Sequence, residues 1–208
     1  MPPQKPITIR SKSVAASGYT LIELACVLAL ATTVGAVTLP GVLTTLDEAR
    51  TIGAVRYMSA RLQRARMEAV MRSADVSLKI TLASAGRYRY VTYVDGNRNG
   101  VRATDILRDV DSEIMPPESL ADLFSGVDFG VLPGLPAVDS GSSPPGTDPV
   151  HLGRRDVVTF TPRGTSTPGS LYIVGPRRRA QYVIRIFGDT AKTRVLKFNP
   201  HTGRWTSL

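Results

Sequence analysis

The chain has 208 residues, of which 42% are hydrophobic, and its formal net charge is +9 at neutral pH. After an 18-residue leader, this length leaves enough for one globular domain plus a long N-terminal helix. Its single cysteine, Cys26, excludes an internal disulfide, so a folded domain must be held together by packing alone.

The positive charge is distributed unevenly. Residues 75–150 hold six basic and eleven acidic residues, whereas residues 151–208 hold eleven basic and two acidic ones. Residues 1–18 contain Lys5, Arg10 and Lys12 and no acidic residue. Because Lys and Arg that flank a membrane segment stay in the cytoplasm, this basic leader predicts a cytoplasmic N-terminus and an external C-terminal domain.

Residues 18–23, with the sequence GYTLIE, begin an apolar segment that extends to Leu46. The segment exceeds the roughly 20 residues that cross a bilayer. A secretory signal peptide is excluded because the small residues 15–18 precede the apolar segment instead of following it. Glu23 is the only charged residue of the segment. An ionisable group in lipid is costly and functional by default, so Glu23 is expected to have a partner.

Beyond Leu46 the helix is predicted to continue as an amphipathic half. Apolar residues recur there at spacings of three and four, which is the helical period, at Val55, Met58, Leu62, Ala65 and Ala69. The opposite side carries Arg56, Arg64 and Arg72. We expect the apolar stripe to pack against a sheet.

The period then changes from helical to alternating. Val76, Leu78, Ile80 and Leu82 alternate with polar residues, which predicts a strand, and residues 85–86 and 88–94 predict a turn and a return strand. Further strands are predicted at 156–161, 171–174, 181–187 and 193–199. The predicted fold class is therefore α+β, with a long N-terminal helix packed on antiparallel sheet.

Residues 112–152 are rich in proline, glycine and serine. A loop of this length in a compact domain is either functional or partly disordered. We expect a mobile, loop-rich insertion with one short helix around 118–124.

The GYTLIE segment resembles the type III signal of type IV prepilins and pseudopilins. The resemblance implies cleavage between Gly18 and Tyr19 by a prepilin peptidase and methylation of the new amino group of Tyr19. It also implies that Glu23 acts in filament assembly. Pro40 is expected to mark a helix break, the place where the helix loosens inside the assembled filament.

Three later segments resemble the GspH/FimT family of minor pseudopilins and minor pilins: VTYVDGNRNG at 91–100, FTPRG at 160–164 and NPHTGR at 199–204. This resemblance implies a pilin-like fold. The expected organisation is a leader peptide at 1–18, a transmembrane assembly helix at 19–46 and a periplasmic globular domain at 47–208 that contains the insertion at 112–152.

The resemblance implies a minor pseudopilin of a type II secretion system, anchored in the inner membrane and then assembled into a periplasmic pseudopilus. Its expected partners are the prepilin peptidase, other pseudopilins or pilins, and the inner-membrane assembly platform. The alternative is a FimT-like minor pilin of a type IV pilus that binds DNA during uptake. Both machines use the same signal and fold.

The candidate DNA-binding residues are Arg177, Arg178, Arg179 and Arg204, since clustered arginines can neutralise phosphates. DNA-binding members of the FimT branch carry a C-terminal GRxR pattern. This chain keeps Gly203 and Arg204 but has Thr206 in place of the second arginine. A solvated basic face that complements acidic neighbours in a filament is the favoured interpretation.

Asp95, Asn97 and Asn99 match the first three ligand positions of a calcium loop, but Ile106 stands where the bidentate glutamate belongs. Asx and Gly residues also form tight turns without a metal, and this interpretation is favoured. The two histidines, His151 and His201, have no paired carboxylates or cysteines near them in sequence. We therefore expect neither enzymatic activity nor a cofactor.

Overall fold

The computed structural model describes residues 18–83, 86–139, 141–153 and 156–208, except for the side chains at 37, 39 and 40. The chain divides into two compact units, Met1–Leu43 and Thr44–Leu208. Most of the predicted leader, residues 1–17, and the predicted turn residue Ala85 lie outside the described residues.

The longest element is helix α1, Leu21–Arg72. Its backbone is helical through residue 40 as elsewhere, and the break at Pro40, which concerns the assembled filament, stays a prediction. Two short helices follow, α2 at Ala103–Leu107 and α3 at Leu120–Leu123. Helix α3 lies where the sequence predicts a short helix.

The amphipathic half of α1 is confirmed. The side chains of Val55, Met58, Leu62, Ala65 and Ala69 are at most 1% exposed, and the three arginines predicted on the opposite side are exposed.

The described residues contain ten strands. In chain order they are β1 Val76–Leu82, β2 Tyr88–Val94, β3 Ser112–Glu118, β4 Asp128–Phe129, β5 Val150–His151, β6 Val157–Phe160, β7 Gly169–Val174, β8 Gln181–Ile186, β9 Thr193–Asn199 and β10 Arg204–Ser207.

The strands form two antiparallel sheets. Sheet 1 has the order β3-β2-β1-β6, and sheet 2 has the order β10-β9-β8-β7-β4 with β5 also pairing with β7. In sheet 1, Val76 pairs with Val94 and Leu82 pairs with Tyr88, so the hairpin register runs over the full length of both strands. The predicted α+β class, with a long N-terminal helix and antiparallel sheet, is thus confirmed.

The main core lies between α1 and both sheets. The buried stripe of α1 packs with residues of sheet 1, such as Leu78 and Phe160, and with residues of sheet 2, such as Ile173 and Ile184. Ala54, Ala65 and Ala69 of the stripe are fully buried. Small side chains at these positions let the sheets come close to the helix backbone.

A second core covers the other face of sheet 2. Tyr172, Val183 and Leu196 alternate along their strands with main-core residues and therefore point to the opposite face. Val131 and Leu135, from the segment before β5, pack on them. Strand β7 is consequently buried at every position.

The segment 112–152 differs from the predicted loop-rich insertion. It contributes β3 to sheet 1, β4 and β5 to sheet 2, and the residues that cover the second core. The sequence pattern also missed β10, which pairs with β9 as an edge strand.

One charged residue lies in the buried stripe of α1. Arg61 is 7% exposed and places its guanidinium 3.5 Å from the Glu118 carboxylate, at the end of β3. The same carboxylate accepts hydrogen bonds from the hydroxyls of Tyr57 at 2.6 Å and Tyr90 at 3.2 Å. Burial raises the pKa of Tyr57 and of Tyr90, and Glu118 adds to both shifts. Both phenols therefore stay protonated and donate to Glu118.

We expect Glu118→Gln to lower the free energy of unfolding of residues 44–208 by about 3 kcal/mol, because it leaves the Arg61 charge buried without its counter-ion. Urea unfolding followed by circular dichroism measures the change. The matched control is Glu113→Gln, an exposed position on the same strand, which should change stability by less than about 0.5 kcal/mol. Equal losses in the two variants would contradict the role of the pair.

Candidate assembly and binding surfaces

The head of α1 carries the predicted processing and assembly residues. Tyr19 is 86% exposed, and Glu23 lies in the first turn of the helix. The Thr20 hydroxyl accepts a hydrogen bond from the Glu23 backbone N–H at 3.3 Å. Thr20 is therefore the N-cap residue. A Thr followed three residues later by Glu is a capping-box sequence, so this helix start is also readable from the sequence.

Glu23 therefore also stabilises the start of its own helix, whether or not it has a partner on another subunit. A carboxylate in the first helical turn interacts favourably with the unpaired N–H groups and the helix dipole. Any test of an assembly role must separate it from this effect on the helix start.

The apolar part of α1 presents its side chains outward. Among the described residues, α1 is the one helix long and apolar enough to cross a membrane. Leu21 is 87% exposed and Leu30 is 68% exposed. The hydroxyls of Thr32 and Thr38 donate to the carbonyls of Leu28 and Val34, each at 2.9 Å. These bonds satisfy the polar groups inside the helix itself, as a lipid environment requires.

The DGNRNG segment forms a tight loop around Asp95, which is 5% exposed. Its carboxylate accepts hydrogen bonds from the backbone N–H groups of Asn97 at 3.0 Å, Arg98 at 2.8 Å and Gly100 at 2.6 Å. A Cβ at Gly96 would lie 2.0 Å from the Val110 carbonyl oxygen, so only glycine fits there.

Two further carboxylates complete this loop. Asp111 accepts hydrogen bonds from the backbone of Gly96 at 3.2 Å and of Arg102 at 2.8 Å. The Asp105 carboxylate accepts a hydrogen bond from the side-chain amide of Asn99 at 3.0 Å. This bond is the main cause of the lowered pKa of Asp105.

The calcium candidates Asp95, Asn97 and Asn99 thus have partners inside the loop. The described residues include no group of three or more His, Cys, Asp and Glu placed to hold a metal ion. The geometry therefore supports a turn stabilised by its own hydrogen bonds.

The four arginines predicted as a basic cluster are exposed, but two of them also bond to other parts of the protein. Arg177 and Arg178 belong to a 3-10 turn, Pro176–Arg178. Arg177 pairs with Asp47 at 3.1 Å, and Arg178 donates to the Val131 carbonyl oxygen at 2.5 Å. Two of the four candidate DNA contacts therefore also make intramolecular bonds, and DNA binding stays a prediction.

A cleft of about 440 Å³ opens beside this turn in the unit Thr44–Leu208. Side chains from the 44–48 stretch of α1, from the turn after β7 and from β9 and β10 line it; among them are Asp47, Glu48, Arg179, Lys197 and Thr206. Lys197 forms an ion pair with Glu48. The cleft could not be predicted from the sequence because its parts are separated by up to 162 residues, from Thr44 to Thr206.

The family model of type II transport protein GspH matches residues 54–115. The predicted family resemblance is confirmed by this match. The matched residues run from the core half of α1 through β1 and β2 to β3 and include the Asp95 loop.

Two solved structures of the minor pseudopilin EpsH from the type II secretion system of Vibrio cholerae are similar to this chain. One is 16% identical with a TM-score of 0.42, and the match covers 70% of this chain and 94% of that chain. The other is 14% identical with a TM-score of 0.38 and covers 78% and 94% of the two chains. No curated protein matches the sequence.

We expect Asp95→Asn to lower the free energy of unfolding of residues 44–208 by about 2 kcal/mol, because an amide cannot accept all three backbone N–H bonds. Urea titration measures the loss, and Asp189→Asn, at an exposed turn position, is the control. Millimolar calcium should leave the melting temperature unchanged. A calcium-dependent rise that Asp95→Asn abolishes would contradict the metal-free turn.

Proposed function

We propose that this protein is a minor pseudopilin of a type II secretion system, made as a membrane-anchored precursor and assembled into a pseudopilus. One observation carries the proposal. The GYTLIE segment, with Glu23 in the first helical turn, heads a membrane-length helix that continues into a domain whose residues 54–115 match the GspH family model.

The anchor is the apolar part of α1. Its exposed apolar surface and its internally bonded threonines suit a bilayer. The basic leader favours a cytoplasmic N-terminus and therefore a periplasmic domain. The protein is then a single-pass protein of the inner membrane before assembly.

Processing by a prepilin peptidase would occur between Gly18 and Tyr19, followed by methylation of the Tyr19 amino group. A Cβ at Gly18 would meet no described atom within 4 Å. Among the described residues, nothing around this position demands glycine, so a requirement for it would come from the peptidase.

Assembly would bring Glu23 to a positive partner on an adjacent subunit, with the peptidase and the inner-membrane assembly platform acting before it. The natural partner is the free amino group that cleavage creates on Tyr19. In a bilayer an unpaired carboxylate is costly, so such a pair favours subunits that are in register.

We expect Gly18→Leu to abolish maturation, because the larger side chain would block the peptidase at the membrane surface. Intact-mass measurement of the protein co-expressed with a prepilin peptidase shows whether residues 1–18 are removed. Gly35→Leu, at a position where an added Cβ meets no described atom within 4 Å and which lies away from the cleavage point, should be processed normally. Recovery of Tyr19 as the N-terminus of Gly18→Leu would exclude the proposed site.

We expect Glu23→Ala to be inserted and cleaved normally but to be depleted from filaments, since the loss of one partner of a buried pair costs about 3–5 kcal/mol. Quantification of the protein in sheared or cross-linked assemblies measures the effect. Thr20→Ala, which removes the helix cap but keeps the carboxylate, is the control. Equal depletion of both variants would assign the defect to the helix start.

A further inference from the structure

The cleft beside the Pro176–Arg178 turn is lined in part by the residues of α1 that directly follow the apolar segment. Two of its acidic lining residues, Asp47 and Glu48, are the first charged residues after the apolar segment that ends at Leu46. Residues 21–46 span about 39 Å as a helix, at 1.5 Å per residue. A bilayer is about 40–45 Å thick with its headgroups, around an apolar core of about 30 Å. If the anchor of the proposed function spans the bilayer, a helix of this length brings residues 44–48 to the level of the lipid headgroups.

The two carboxylates at this level are already neutralised. Asp47 is 3.1 Å from the Arg177 guanidinium and 3.9 Å from that of Arg50. Glu48 is paired with Lys197. Neither carboxylate is therefore left to repel an anion that approaches the cleft.

Two other arginines at the cleft keep their charge available. Arg179 lines the cleft, is exposed and forms no ion pair with a described residue. Arg204 is exposed and lies two residues before Thr206, so both side chains project from the same face of β10. Thr206 lines the cleft, and Asn199, the β9 partner of Arg204, lines it too.

We propose that Arg179 and Arg204 bind the phosphate groups of anionic phospholipids and so hold the domain against the outer surface of the membrane before assembly. Each basic residue near an anionic surface strengthens binding about fivefold. The proposal rests on the membrane anchor of the proposed function. It adds a second, electrostatic attachment that must be released when the subunit leaves the bilayer.

The surface suits headgroups better than nucleic acid. A duplex needs a row of phosphate contacts, whereas Arg177 and Arg178 are bonded to Asp47 and to the Val131 carbonyl. The two remaining arginines stand beside the chain segment that leaves the bilayer. A lipid phosphate reaches them at high local concentration because the anchor already holds the protein there.

The test uses the full chain reconstituted in vesicles and its single tryptophan, Trp205, which lies between Arg204 and Thr206. Phosphatidylglycerol and phosphatidylcholine vesicles each carry a lipid spin-labelled at the headgroup, and quenching of Trp205 fluorescence reports the docked fraction. We expect stronger quenching in phosphatidylglycerol, weakened by added salt. Arg179→Gln should lower the docking constant about fivefold, and Arg179→Gln with Arg204→Gln about 25-fold.

The matched control is Arg64→Gln, which removes one exposed positive charge on α1 about 24 Å from Glu48. It should leave quenching unchanged. Equal quenching in the two lipids, no effect of Arg179→Gln, or an equal effect of Arg64→Gln would each overturn the proposal. So would a response of Trp205 to inorganic phosphate in detergent without a preference for phosphatidylglycerol, since the ligand would then be soluble phosphate. Arginine-dependent, submicromolar binding of duplex DNA would assign the surface to nucleic acid instead.

Carbonate extraction separates this proposal from the anchor on which it rests. Wild type and the double variant should both stay in the membrane fraction. Release of the wild type would refute the anchor itself. If both proteins are retained and their Trp205 fluorescence is quenched equally in phosphatidylglycerol, only the headgroup site is refuted.

Discussion

The fold depends on a charge placed inside the buried stripe of α1. Arg61 cannot be accommodated between α1 and sheet 1 without an anion, because an isolated buried charge is far too costly. Glu118 supplies that anion from the end of β3, and Tyr57 and Tyr90 complete its hydrogen bonding. The position of β3 at the edge of sheet 1 is therefore fixed from the helix as well as by pairing with β2. A segment with little strand propensity is held in the sheet in this way.

Periodicity was sufficient to predict the parts of the fold in which one face is buried. The stripe of α1 and strand β1 were predicted because their apolar residues repeat at the period of their own element. Strand β3 was missed for a physical reason. It contains Pro116 and Pro117, and prolines are tolerated only at edges or bulges, where no ladder hydrogen bond is required. The same prolines counted toward a loop when only the sequence was considered.

At the candidate sites, too, local sequence features were predictable and contacts between distant residues were not. The Asp95 turn could be predicted from local Asx and Gly residues, but its second carboxylate, Asp111, comes after an intervening helix, α2, and carries no signal of its own. Likewise the run of three arginines suggested one uniform basic surface. The contact from Arg177 to Asp47 joins residues 130 positions apart, so only the folded chain reveals it. Because of this contact, Arg177 is paired within the protein while Arg179 is not paired with a described residue.

Because β7 and β8 are buried on both faces, the elements of the domain should unfold locally in a definite order, with these two strands last. If α1 were to detach, the main core would be exposed, yet Tyr172, Val183 and Leu196 would still be covered by the segment around Val131. Local fluctuations release first the elements with the fewest buried contacts, such as the exposed edge strand β10. The amide protons of β7 and β8 should therefore exchange with solvent only when the whole domain unfolds, and this hairpin forms the most persistent unit of the protein.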